Sequence, residues 1–304
     1  MKLDNLTKNL LKQIANLHKI PNGAISFRKN GKTELISSTK NIEIKPKKDK
    51  SGIDIIIRSS CNNEICHIPV VISENNIFDL VYNDFYIEEN ANVTIVAGCG
   101  VHSNGDSGHD GVHTLHIGKN ANVTYIENHL ALGEGSNKTL NPTTKLIIES
   151  GAKVTMTTTQ IGGVDYSNRK TVANLKDDAV LNINEKIKTD KFNVAKTDIK
   201  VTLQGKNSKC EIVSRSVAKG ESEQIFKSDI IGKNVCFGHV ECDAIVLDDA
   251  KVISQPKVSA LNNNAELSHE AAIGKIAGEQ LVKLMTMGMN KKQAEEKIIE
   301  GFLK

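Results

Sequence analysis

Five of the nine histidines fall within 28 residues of each other. Four lie in Cys99-Gly-Val-His102-Ser-Asn-Gly-Asp106-Ser-Gly-His109-Asp110-Gly-Val-His113-Thr-Leu-His116, and His129 follows. Imidazole, carboxylate and thiolate close together make a ligand set for a transition metal. Cys99, His102, His109, His113 and His116 are the candidate metal residues. Their spacing matches no sharp ligand motif. The alternative is a solvated polar loop followed by strand histidines that hydrogen-bond between neighbouring segments. HSNGDSGHDG reads as a loop on its Gly, Asn, Ser and Asp content. VHTLHI reads as a strand, in which His113 and His116 face opposite ways.

A second cluster is Cys236, His239, Glu241 and Cys242. In an alternating strand Cys236 and Cys242 share one face, and His239 and Glu241 share the other. An inward cysteine is ordinarily a small inert hydrophobe. Beside imidazole or a cation it becomes thiolate-like and able to hold sulfur or iron. A third cluster, Ser268-His269-Glu270, either joins Cys242 from the next repeat or caps the helical tail through Ser268. The step from Ala250 to Ala265 places Leu267–His269 beside the strand that holds Ile253. The six cysteines form no C-x-x-C pair, which argues against a zinc finger. No Walker A loop, G-x-S-x-G elbow or dinucleotide fingerprint is present, so the chain is expected to be no enzyme of those classes and to hold no ATP.

The elements that must position these residues read as repeats. ENANVTIVAG (89–98), KNANVTYIEN (119–128), SGAKVTMTTT (150–159) and DDAVLNINEK (177–186) are variants of one phrase, with alanines at 91, 121, 152 and 179. Asn, Asp or Gly turns into Ala, and an alternating strand follows. A fixed period of this length predicts a stacked solenoid, here a β-helix over about 23–265. A β-sandwich is the competing reading. Hydrophobic content is 39% with 4% aromatics and no Trp, which suits thin repeated layers better than one thick core. Residues 1–22 predict an amphipathic N-terminal helix, and 266–304 a helical segment. In it, 278–287 puts Leu281, Leu284 and Met285 on one face. Asn290 and Gln293 form a capping box for a second helix, with Ala294, Ile298 and Phe302 on its apolar face. The terminal helices are expected to cap the open ends of the solenoid. Leu281, Leu284, Met285, Ile298 and Phe302 are candidates for docking a partner. A net charge of +3 gives no reason to expect nucleic acid or a membrane surface, and no apolar run reaches membrane-span length. A cytoplasmic location is expected.

GHVECDAIVL, SHEAAIG and the LMTMG-MNKKQAEEKII-EGF tail resemble the C-terminal signature of the SufB/SufD family, the scaffold proteins of iron–sulfur cluster assembly. EENANVTIVAGCG, TTTQIGGVD and CEIVSRSVAKGESEQIFKSDIIG extend the likeness back to about residue 70. The resemblance implies a right-handed parallel β-helix, pairing of two subunits through its end, and docking of an ABC-type ATPase, SufC, on the C-terminal helices. It implies a sulfur donor system as a further partner and a transient iron–sulfur cluster of the 4Fe–4S type, with flavin as a further candidate cofactor. The family's sulfur-receiving or cluster-holding cysteine falls on Cys242. The Glu of SufB-like members and the His of SufD-like members fall on Glu270 and His269. One short N-terminal helix stands where SufB and SufD have longer helical regions. A compact chain with Cys242, His269 and Glu270 together is expected to work as a homodimer in place of the SufB–SufD pair. The alternatives are a SufD-like structural subunit, or a metal-dependent β-helix enzyme using the histidine-rich stretch.

Overall fold

A computed structural model describes residues 3–133 and 137–304. Helix α1 (Asn5–Ala15) precedes β1 (Ala24–Lys29), β2 (Lys32–Ser37), β3 (Ile42–Pro46) and β4 (Gly52–Ile57). The repeats follow as β5 (Asn62–Ile72), β6 (Phe78–Ile87), β7 (Asn92–His102), β8 (Ser107–Ile117), β9 (Asn122–Leu132), β10 (Lys138–Leu140), β11 (Thr143–Ile148) and β12 (Lys153–Ile161). They continue as β13 (Tyr166–Leu175), β14 (Val180–Thr189), β15 (Val194–Leu203), β16 (Ser208–Ala218), β17 (Glu223–Gly232), β18 (Cys236–Val246), β19 (Lys251–Ala260) and β20 (Ala265–Gly274). Helices α2 (Gly278–Thr286) and α3 (Lys291–Phe302) end the chain.

The strands build a β-solenoid of about eight turns. One parallel sheet runs β5-β7-β9-β12-β14-β16-β18-β20, and the facing sheet runs β19-β17-β15-β13-β10-β8-β6-β4, with β11 continuing β10 between β8 and β13. Each turn therefore contributes one strand to each sheet, and a hydrogen-bonded neighbour lies a full turn away in sequence.

The recurring phrase is a corner. Asn90, Asn120 and Asp178 have φ of 62°, 55° and 57°, and Gly151 has 73°. Asn, Asp and Gly tolerate this left-handed backbone best. Ala91, Ala121, Ala152 and Ala179 follow and are fully buried, stacked where a larger side chain would overfill the bend. Their carbonyls accept from the next turn, Asn122 N to Ala91 O at 2.8 Å and Lys153 N to Ala121 O at 2.8 Å.

The two ends differ from expectation. The N-terminal end is closed by β1 and β2, which pair antiparallel, and by β3, antiparallel to β4, not by a helix. Helix α1 lies on the outer face of β5, β7 and β9. A Cβ on Gly98 would come within 2.4 Å of Ile14 O, so glycine is what lets α1 approach. At the C-terminal end β19 and β20 each leave one edge unpaired among the described residues. Helix α3 packs sideways on Val217 and Ile245 through Ile299, Phe302 and Leu303, and α2 buries no residue. The expected C-terminal caps therefore leave the open end uncovered. The solenoid also runs further than 265, because SHEAAIG is strand β20 and the helical segment starts at Gly278. Ser268 is therefore not a helix cap; the N-cap of α2 is Ala277.

Candidate functional site

Strand alternation sets the inner wall, and along its midline that wall is polar. In β14 the inward residues are Leu181, Ile183, Glu185, Ile187 and Thr189; in β9 they are Val123, Tyr125, Glu127, His129 and Ala131. Arg169, from β13, lies between the two carboxylates. Its Nη1 donates to Glu127 Oε2 at 3.0 Å, and its Nε lies 3.8 Å from Glu185 Oε1. Arg169 Nη2 also donates to His129 Nδ1 at 3.2 Å, so His129 Nε2–H is left to donate to Glu127 Oε1 at 2.8 Å. That is a neutral imidazole. Burial lowers the His129 pKa, against the pull of Glu127. Burial works against the charge on Glu127, but Arg169 and His129 outweigh it and hold that carboxyl well below the usual range. Glu185 goes the other way: burial raises it, with Arg169, Thr197 and Ser214 pulling back.

The histidine-rich stretch divides between two surfaces. Among its predicted metal residues, Cys99, His109 and His113 face inward, whereas His102 and His116 face outward, His116 stacked on Tyr86 at 5.1 Å between ring centroids. Only residues 103–106 form the loop, because β8 starts at Ser107. The inward three join Glu127 and His129, which the metal set did not include, around a cavity of about 20 Å³, room for one water-sized molecule. His113 is held at both nitrogens. Asn83 Nδ2 donates to its Nε2 at 3.3 Å, so Nδ1–H points to Tyr125 OH at 2.8 Å. Burial drops His113 to about 4. His109 Nδ1 lies 3.3 Å from Asp79 Oδ2, and Arg28 Nη2 reaches Asp79 Oδ1 at 2.8 Å. Cys99 registers beside His129, and burial followed by Asp79 and Glu127 pushes its thiol far up. Among the described residues no group of three or more His, Cys, Asp or Glu is arranged to hold a metal ion.

Cys242 lies at the far end of the same inner wall. The register of one sheet places Thr158, Glu185, Ser214, Cys242 and Ala271 in a column. Ser214 Oγ donates to Glu185 Oε2 at 2.9 Å, which ties the column to the Arg169 network. Cys242 is 2% exposed, on the last turn that another turn covers on both sides. Burial pushes its thiol up, with Ser254 pulling part of the way back. Cys236 faces inward on the same strand, and His239 and Glu241 face outward, as the alternation predicts.

β20 lies beside β18, not beside the strand of Ile253. His269 registers with Val240 and so takes the inward side, two residues from the position beside Cys242. Glu270 registers with Glu241 on the outer face, turned away from the thiol. Ser268 Oγ meets His239 Nδ1 at 2.8 Å on that outer face. The site thus brings Cys242 and His269 to one side and leaves Glu270 on the other. Of the docking candidates, Leu281 and Leu284 are half-buried, Met285 is 44% exposed, and Phe302 is used against the solenoid.

Comparison with known proteins places this architecture. The family model described as SUF system FeS cluster assembly, SufBD core domain, matches residues 74–302. The chain belongs to the SufBD family of iron–sulfur cluster assembly proteins. An iron-sulfur cluster assembly SufBD family protein of Methanocaldococcus jannaschii is 32% identical over 243 residues, covering 78% of this chain and 75% of that protein. One of Archaeoglobus fulgidus is 30% identical over 225 residues, 73% of this chain and 60% of that protein. One of Pyrococcus horikoshii is 25% identical over 279 residues, 88% of this chain and 83% of that protein. The matched range spans every strand from β6 on and both C-terminal helices. Among the described residues no helix is long and apolar enough to cross a membrane.

Proposed function

We propose that this SufBD protein is the scaffold on which sulfur and iron are joined, with the cluster as its cargo. The observation that carries this is the place of Cys242. Its thiol faces inward on the last covered turn, directly beneath the uncovered strands β19 and β20. Sulfur from a donor system is received on Cys242, and His269, on the same inward side of the neighbouring strand, is a candidate to share the cargo. A second copy set end to end on β19 and β20 satisfies their unpaired edges and brings two such sets together. A homodimer is thus the favoured assembly, and a second SufBD-type subunit is the alternative. An ABC-type ATPase of the SufC kind docks on α2, whose Val282 and Met285 are 60% and 44% exposed. The chain performs no catalysis of its own in this reading, and the setting is the cytoplasm.

A second reading, a SufD-like structural subunit, is favoured by one observation: Glu270 faces away from Cys242. Anaerobic reconstitution with iron and sulfide separates the two. The scaffold predicts bound iron and labile sulfide in the wild type and their loss in Cys242→Ser, with folding unchanged. No cluster in either protein, both folded, would assign the chain the structural role.

A further inference from the structure

The regularity of the solenoid allows one turn to be read against another. In one sheet, successive turns carry Glu185, Ser214 and Cys242 at the same register. In the facing sheet they carry Thr197, Phe226 and Ser254. The Thr197 hydroxyl crosses the interior and donates to Glu185 Oε1 at 2.8 Å. Two turns on, Ser254 stands to Cys242 as Thr197 stands to Glu185: a hydroxyl opposite an acidic group. The first pair is a formed hydrogen bond. In the second, Ser254 Oγ is buried and makes no hydrogen bond of full geometry, although its hydroxyl is turned to Cys242 closely enough to favour the thiolate against burial. A buried hydroxyl without a partner carries a cost, and natural interiors keep few of them. Its neighbour at the same register in this sheet is Phe226, whose side chain offers no hydrogen-bonding atom.

We propose that Ser254 is a positioning residue whose hydroxyl donates its hydrogen bond to sulfur after that sulfur has been loaded on Cys242. This rests on the scaffold reading. Loading is a transfer between persulfides. The Cys242 thiolate attacks the outer sulfur of a donor persulfide, a new S–S bond forms, the donor's S–S bond breaks, and the donor leaves as a thiolate with the electron pair. No external oxidant is needed. The added sulfur extends the side chain by about 2 Å and carries negative charge. It is a stronger acceptor than the bare thiol, and it turns a weak neutral contact into a charge-assisted hydrogen bond.

The test loads the full-length reduced protein with glutathione persulfide, removes the reagent, and follows sulfur on the peptide containing residue 242 by mass spectrometry. Ser254→Ala is expected to lose that sulfur about tenfold faster than the wild type, with an unchanged thermal midpoint, and Ser254→Thr is expected to restore retention. Equal retention in Ser254→Ala and wild type overturns the role of Ser254, as does a failure of Ser254→Thr to rescue. If Cys242→Ser takes up as much sulfur as the wild type, the scaffold reading falls with it. If Cys242→Ser takes up none while Ser254→Ala retains it normally, only the inference about Ser254 falls.

Discussion

The first turns of the solenoid and the last are built from the same strands but end differently. At the N-terminal end β1 and β2 close the stack, and inside it Arg28 pairs with Asp79 at 2.8 Å. The middle turns continue this pairing through Glu127, His129, Arg169 and Glu185, with the Thr158 hydroxyl beside Glu185 left without a formed partner. At the C-terminal end β19 and β20 each keep one edge unpaired, and the hydroxyls of Ser228 and Ser254 have no formed partner, among the described residues. Buried polar groups that are fully paired hold one structure rigidly, whereas unpaired ones are costs that something else must offset. The difference is one of closure: antiparallel strands cover the first turn, whereas the last turn offers free strand edges.

The comparison breaks first at Arg169, where the largest effect on stability is expected. Arg169→Met leaves Glu127 and Glu185 buried without their shared cation. Removing one partner from such a set costs about 3–5 kcal/mol. Urea denaturation should show that loss, while Ser254→Ala and Cys242→Ser at the open end should each stay within about 1 kcal/mol of the wild type. Equal losses at the two places would mean that the last turn is as tightly tied as the middle.

A smaller effect comes from pH. His113 is neutral in the fold with its pKa lowered to about 4. The unfolded chain takes up the proton near the ordinary value of about 6.5. Between those values the unfolded state binds more protons, so stability falls as pH is lowered through that window, by up to about 3 kcal/mol for this group. His129, lowered by burial, adds to the slope, and Glu185, raised by burial, opposes it by binding its proton in the fold. Urea midpoints between about pH 7 and pH 4.5 should therefore decline, and His113→Gln should flatten that decline while lowering stability at neutral pH. A wild-type midpoint that does not move over this range would show the interior to be reached by water.

Part of this contrast was legible in the sequence. Corner residues obey a local rule, a left-handed Asn, Asp or Gly followed by Ala, so the repeat and the fold could be read from four phrases. The capping box of Asn290 and Gln293 is equally local and is present. The inner polar line was missed because Glu127 and Glu185 look like interruptions of an apolar alternation. In LNINEKIKT, however, Leu181, Ile183 and Ile187 fix the phase, and Glu185 falls on it. An acid at an inward position was the available signal. The histidine stretch was read as too much loop because its glycines resemble turn residues. Gly108 and Gly111 lie within β8, where a Cβ would come within 2.2 Å of Thr139 Oγ1 and 2.8 Å of His113 Nε2 respectively. Their smallness serves close packing. The neighbour of His269 was misplaced because Ala250 and Ala265 belong to opposite sheets, and hydrogen bonding links positions a full turn apart.

The smallest effect on folding, and the most selective on assembly, is expected at β20. Ile273 is 45% exposed on the last strand and faces the same way as His269 and Ala271. In a lone chain a lysine there meets water, and exposed substitutions of this kind change stability by about 0.5 kcal/mol or less. If a second copy covers β19 and β20, the same lysine is buried without a partner, a cost that dissociates the pair. Sedimentation of the wild type should then show a dimer and that of Ile273→Lys a monomer, with thermal midpoints that differ only as far as dimerisation itself stabilises the wild type. Met285→Glu on α2 is the matched control, since it adds a charge to an exposed apolar position that is not on either edge strand and should leave the dimer intact. A wild type that sediments as a monomer at all concentrations would leave the open end to a different subunit, and would favour the heteromeric reading over the homodimer.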